Sequence, residues 1–208
     1  MKQRCLPLYL TILITFYGGC NRNYDPPLSA DILYVENFSN SALGWRKIGG
    51  PGLLEPLDGV FKHTTVGDSV WCEYVYTPNV FSNARYELEV FVDSQSVRSA
   101  FVWRAPDTQI VTAAGGAYQI TFNNAGHLNL EKLDPQGRTM LLDVPNGFTG
   151  LNRVVIDDRG SSVALSISNI SFGSFPVINL TTPQPGYIVL LGADRGGGDY
   201  FDNIKISH

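Results

Sequence analysis

The sequence predicts an all-β domain, a two-sheet antiparallel sandwich of the jelly-roll kind. Three observations lead there. Apolar residues recur with period two and not 3.6: Tyr86, Leu88, Val90 and Val92 alternate with Glu87, Glu89, Phe91 and Asp93, and Val163, Leu165 and Ile167 alternate with Ala164, Ser166 and Ser168. Such strands bury one face and expose the other. About a dozen short runs of this kind are separated by turn clusters such as Asn123-Asn124-Ala125-Gly126 and Asp158-Arg159-Gly160-Ser161. The 208 residues are 44% hydrophobic and 16% charged, with 21 Gly and 12 Pro, which suits a single turn-rich β domain better than a helical or disordered chain.

The first residues read as a targeting segment and not as part of the fold. Lys2 and Arg4 form a basic start, residues 6–16 are a short apolar run, and Gly18-Gly19 precede Cys20, the layout of a signal peptide. The run is too short to span a bilayer as a stable helix. Tyr17-Gly18-Gly19-Cys20 resembles a bacterial lipobox, although Tyr17 stands where such boxes usually carry Leu. The resemblance implies a signal peptide over 1–19, a lipid on Cys20, a polar tether over 20–29 with Pro26-Pro27, and a folded domain over 30–208 in a bacterial cell envelope. The alternative is an ordinary secretory signal with an incidental cysteine. Loss of Cys5 with the leader and acylation of Cys20 leave Cys72 without a disulfide partner. Its parity with Val70, Tyr74 and Tyr76 makes it a small buried hydrophobe. The formal charge of −4 argues against nucleic acid as a partner.

Strands are expected over 32–38, 70–77, 86–93, 99–104, 118–123, 128–133, 140–144, 153–157 and 163–168. Residues 186–207 read as strand, turn and strand, with Gly196, Gly197 and Gly198 at the reversal. In the last strand Tyr200, Asp202, Ile204 and Ile206 share a parity, and in the first so do Ile32, Tyr34, Glu36 and Phe38. Each apolar face therefore carries one carboxylate, and the two acids can meet if the terminal strands are neighbours. His63, His127 and His208 are far apart and are expected to face solvent.

Several short motifs together resemble the concanavalin A-like jelly rolls: Glu36-Asn37-Phe38-Ser39-Asn40 followed by Gly44-Trp45, Asp58-Gly59-Val60, the run from Ser99 through Trp103-Arg104-Ala105-Pro106-Asp107, Ala117-Tyr118-Gln119-Ile120, and Tyr200-Phe201-Asp202-Asn203-Ile204-Lys205-Ile206. Within that group they are similar to the 3-keto-disaccharide hydrolase and laminin-G-like branches. The resemblance implies a carbohydrate-related protein. It also implies a structural calcium between the first and last strands, held by Glu36 and Asp202. The alternative there is that Arg46 or backbone amides satisfy the acids.

In the hydrolase-like branch a glutamate commonly follows the tyrosine matched by Tyr118. Here Gln119 stands in its place, and an amide cannot exchange a proton near neutral pH. The lichenase-type run of three acids along one strand is absent, since Glu87 and Glu89 are followed by Phe91. No nucleophile elbow, zinc motif or phosphate loop occurs. Binding is therefore the leading expectation. Opposite the core parity, Trp71 and Glu73, Arg104, and Gln119, Thr121 and Asn123 would project from one side of a sheet as an oligo- or polysaccharide surface. The alternative is that Trp71 packs under a loop and Arg104 pairs with an acid. A glycoside hydrolase and an adhesion module contacting a protein of the cell envelope are the other two functional classes.

Overall fold

A computed structural model of the chain describes residues 31–39, 42, 44–64, 71–94, 96–106, 117–123, 126–134, 137–145, 147–176, 185–194 and 198–208. The expected signal peptide, Cys20, the tether and the glycine pair 196–197 lie outside them. Fifteen strands are present among the described residues: Ile32–Glu36 (β1), Trp45–Gly49 (β2), Leu54–Leu57 (β3), Val60–His63 (β4), Trp71–Phe81 (β5), Arg85–Val92 (β6), Ser96–Ala105 (β7), Ala117–Asn123 (β8), His127–Asp134 (β9), Gly137–Val144 (β10), Gly150–Asp158 (β11), Ser162–Ile167 (β12), Ile170–Pro176 (β13), Gly186–Asp194 (β14) and Tyr200–Ser207 (β15). They form two antiparallel sheets, as expected. One runs β13-β12-β11-β6-β15-β4-β3, with β1 also pairing β15; the other runs β10-β9-β8-β7-β14-β5-β2.

Most of the period-two strands anticipated from sequence lie inside these sheets, with β10 at an edge and β1 paired only to β15. Of the four strands the pattern did not announce, β2, β3 and β13 are edge strands, and β4 joins β3 to β15 over a short ladder. An edge strand satisfies only one side and tolerates Pro or Gly, so Leu54-Glu55-Pro56-Leu57 and the Gly173-containing β13 carry little alternation.

The core lies between the layers. Alternate residues of β6 (Tyr86, Leu88, Val90), β11 (Val154, Ile156) and β15 (Phe201, Ile204, Ile206) meet Tyr74, Phe101, Trp103, Ile120, Leu128 and Ile188 from the other sheet, nearly all fully buried. Cys72 belongs to this set. Burial pushes its thiol up to about 12, so it stays a protonated apolar group.

The last two strands are not a hairpin. β14 sits between β5 and β7 in one sheet, while β15 sits in the other between β6 on one side and β4 and β1 on the other. Both edges of each strand are occupied, so the chain crosses from layer to layer between them. The buried Asp199 holds the crossing. Its carboxylate accepts from the Asp93 backbone N–H at 2.8 Å, from Ser96 Oγ at 2.5 Å and from Ser99 Oγ, and its carbonyl accepts from the His63 N–H at 2.9 Å. His63 is 0% exposed and packs against Gly52 and Gly192, so it does not face solvent as expected. His127, partly exposed, and His208, exposed, do.

Candidate functional site

The face of the seven-stranded sheet that looks away from the core is built from the polar parity of its strands. Cross-strand registers set three rows. The first runs Arg46, Val75, Val189, Val102, Gln119, Glu131, Met140; the second runs Gly49, Glu73, Leu191, Ala100, Thr121, Asn129, Asp143; the third runs Trp71, Ala193, Arg98, Asn123, His127. Val75, Val102 and Val189 join Ala105, Ala117 and Leu133 in a second apolar cluster. These small side chains make a buried floor, and Glu73, Gln119, Thr121 and Glu131 are buried alongside it.

The polar groups on this floor are linked. Gln119 Nε2 donates to Thr121 Oγ1 at 2.5 Å and to Glu131 Oε2 at 3.0 Å. Arg138 Nη1 donates to the same oxygen at 3.4 Å. Arg98 stands on the central strand between the two acids. Burial lowers its pKa, with the Arg138 charge second, while Glu131 and Glu73 pull it back up. At the far end His127 Nε2 pairs with Asp143 Oδ1. Trp71 is half-buried: the Gly52 N–H donates to its carbonyl at 2.8 Å, and a Cβ on Gly50 would lie 2.8 Å from its ring. The 50–52 loop thus packs on Trp71, which leaves only part of its ring free.

Of the expected surface, Trp71, Glu73, Gln119, Thr121 and Asn123 share this face. Arg104 does not. Its φ of +59° places it in the left-handed region, and the β7–β14 register slips there: Val102 pairs with Val189 but Ala105 with Tyr187. This β-bulge turns Trp103 and Arg104 inward together and puts Val102 and Ala105 together on the outer face. Arg104 ends 3% exposed, with Nε donating to Asp158 Oδ2 at 2.6 Å and Nη2 to Asp158 Oδ1. It is an interlayer ion pair, not a sheet-face arginine. Glu131 and Arg98 are the residues the sequence reading missed. The alternation His127, Asn129, Glu131 against Leu128 and Leu130 carries the first, and Arg98 lies one residue before the strand expected from 99.

Glu36 and Asp202 come near enough for the Glu36 charge to act on Asp202, as expected of neighbouring terminal strands, but Asp202 does not face the core. β1 does pair with β15, with Glu36 opposite Ile204. Asn203 takes φ of +49°, and this second bulge leaves Asp202 opposite Glu89 on the outer face while Phe201, Ile204 and Ile206 point inward. Glu36 Oε1 accepts from the backbone N–H groups of Asn37 at 3.1 Å and Phe38 at 2.9 Å, and Oε2 accepts from Tyr34 Oη at 3.3 Å. Backbone amides thus satisfy Glu36. No group of three or more His, Cys, Asp or Glu side chains suited to a metal occurs among the described residues. Glu87 and Glu89 lie on the outer face of the other sheet, where Glu87 pairs with Arg85 and Arg153.

No family model matches the sequence, and no curated protein matches it. Solved structures do share the architecture. The Bacillus licheniformis beta-glucanase aligns over 87% of this chain and 100% of its own at 13% identity and a TM-score of 0.64. The fold is the concanavalin A-like jelly roll. A Bacillus subtilis protein of unknown function with a galectin-like fold aligns over 85% of this chain and 96% of its own (13% identity, TM-score 0.64), and the carbohydrate-binding module CBM66 from Bacillus subtilis over 79% and 96% (11% identity, TM-score 0.58). At these identities the likeness concerns the fold alone.

Two variants test the placements. Arg104→Ala leaves Asp158 buried without its cation and is expected to cost about 3–5 kcal/mol in urea unfolding; a loss under about 1 kcal/mol would contradict the buried pair. For Asp202, burial, then the Glu89 and Glu36 charges, raise the carboxyl pKa against one backbone N–H that lowers it. A folded-state pKa above the unfolded one favours the folded state below the unfolded value, and that advantage is lost as pH rises through the folded value. Asp202→Asn should therefore melt higher than wild type at pH 7, with the difference vanishing below about pH 3.5. A difference that persists in acid would point to a cause other than charge.

Proposed function

We propose that this jelly roll is a non-catalytic carbohydrate-binding protein, and that the outer face of its seven-stranded sheet takes an oligo- or polysaccharide. The observation that carries the reading is the combination on that face: an aliphatic floor of Val75, Val102 and Val189 beside linked amide, hydroxyl, carboxylate and guanidinium groups. A saccharide would meet Arg98 and Asn123 first, the partly exposed groups of that face, with Glu73, Gln119 and Glu131 behind them and the aliphatic floor holding them in place. The carbohydrate-binding module and the glucanase that share the fold support a saccharide ligand.

The two buried acids of the face stand too far apart to act as a glycosidase pair. Glu73 on β5 and Glu131 on β9 are separated by β14, β7 and β8, four ladder steps or roughly 19 Å of backbone. Paired glycosidase carboxylates stand about 5 to 10 Å apart. Between them, at Gln119, an amide replaces the acid.

Arg98→Ala should weaken retention on any glycan the wild type binds by about tenfold or more, since hydrogen bonds to a charged group contribute roughly 1.5–3 kcal/mol each. An array of oligosaccharides followed by titration reads this out. If neither Arg98→Ala nor Glu131→Gln alters affinity, the site lies elsewhere. Lipid on Cys20 is the second part of the proposal, supported by the basic start, apolar run and small residues before that cysteine. Cys20→Ser should move the protein from the membrane to the soluble fraction with its melting temperature unchanged; membrane association surviving the change would sink the anchor.

A further inference from the structure

The bulge at Arg104 leaves unfinished hydrogen bonding inside the core. The guanidinium is held on one side by Asp158, with Nη2 reaching the Gly160 carbonyl at 3.4 Å and the Gly160 N–H donating to Asp158 Oδ1 at 2.9 Å. On the other side, Arg104 Nη1 is buried with no partner among the described residues, and so are Trp103 Nε1 and Tyr86 Oη. All three belong to side chains at least nine-tenths buried. The side chains that carry them are neighbours. Trp103 and Arg104 turn inward consecutively, the Tyr86 ring from the opposite sheet lies 6.3 Å from the Trp103 ring, and Arg104 Cζ lies 5.8 Å from the Tyr118 ring, itself 5.6 Å from Trp103. The charges of Asp158 and Arg104 both act on the Tyr86 phenol, whose pKa is raised first of all by its burial.

We propose that Arg104 Nη1, Trp103 Nε1 and Tyr86 Oη together hold one buried water molecule, which completes the polar shell of the interlayer ion pair. Two of the three groups are N–H donors only, so their shared partner must be an acceptor. The third, a phenol, can accept as well as donate. Water matches this set: its oxygen accepts from Nη1 and Nε1 while one of its O–H groups is donated to Tyr86 Oη, the three bonds usual for an internal water. An anion fits less well, because Asp158 already neutralises Arg104. Left unpaired, the three groups would each pay the cost of losing solvent.

A crystal structure of the folded domain at about 1.5 Å resolution tests this directly. The expected result is a single solvent peak, without anomalous signal, within about 3.2 Å of all three atoms. In a Tyr86→Phe, Trp103→Phe double variant, which keeps two aromatic rings but only the arginine donor, the peak should disappear. The proposal is overturned by side chains that pair with one another and leave no peak, by an anomalous signal marking an anion, or by a peak that remains unchanged in the double variant.

Discussion

The Arg104–Asp158 pair ties the two layers together where packing alone would favour apolar residues. Removing two charges from water is costly, and it is tolerated here only because the geometry is two-pronged and the Gly160 backbone closes the ring of bonds. The same pair is inseparable from the left-handed backbone at Arg104. A non-glycine residue there is uncommon, and Gly186 makes room for it: a Cβ at that position would lie 2.4 Å from Arg104 Cα. One consequence is felt on the opposite side of the sheet, since the bulge delivers both Val102 and Ala105 to the outer floor. The proposed saccharide face and the inner ion pair are two sides of one local deformation.

Most of the architecture was legible because strands buried on one face must alternate, and the central ones do. The candidate face was legible to the same extent: Trp71, Glu73, Gln119 and Asn123 follow simple parity. Parity failed at Arg104 and Asp202, each at a bulge where a non-glycine residue takes positive φ. A bulge adds one residue and inverts every inference beyond it, and nothing in the local alternation marks the spot. The terminal strands failed for a different reason. A glycine-rich reversal between two apolar runs looks alike whether the runs pair within a sheet or stack across the core, and only the occupied edges of β14 and β15 decide. His63 was misjudged because a polar residue at a strand end can be enclosed by glycines such as Gly52 and Gly192 that come from distant sequence.

The two outer faces of the sandwich differ in how they treat charge. On the face carrying Glu87, ion pairs with Arg85 and Arg153 lie beside side chains 42% and 65% exposed, where screening by water leaves each worth little. On the other face Glu131, Gln119 and Thr121 are bonded out of solvent against an aliphatic floor. Polar groups held in place there would give up little freedom on docking of the proposed saccharide.

Because β14 and β15 each occupy an interior place in a different sheet, the chain acquires the centre of both layers after the other described strands. Until β14 and β15 have left the ribosome, β5 and β7 lack the strand that joins them, and β6 and β4 likewise. Neither half-sheet can close over its apolar side. Contacts of such long sequence separation make folding slow, and the open strand edges are sites for pairing with other chains. The order of the strands therefore leaves both sheets open at their centres until β14 and β15 are made, and neither layer closes without them.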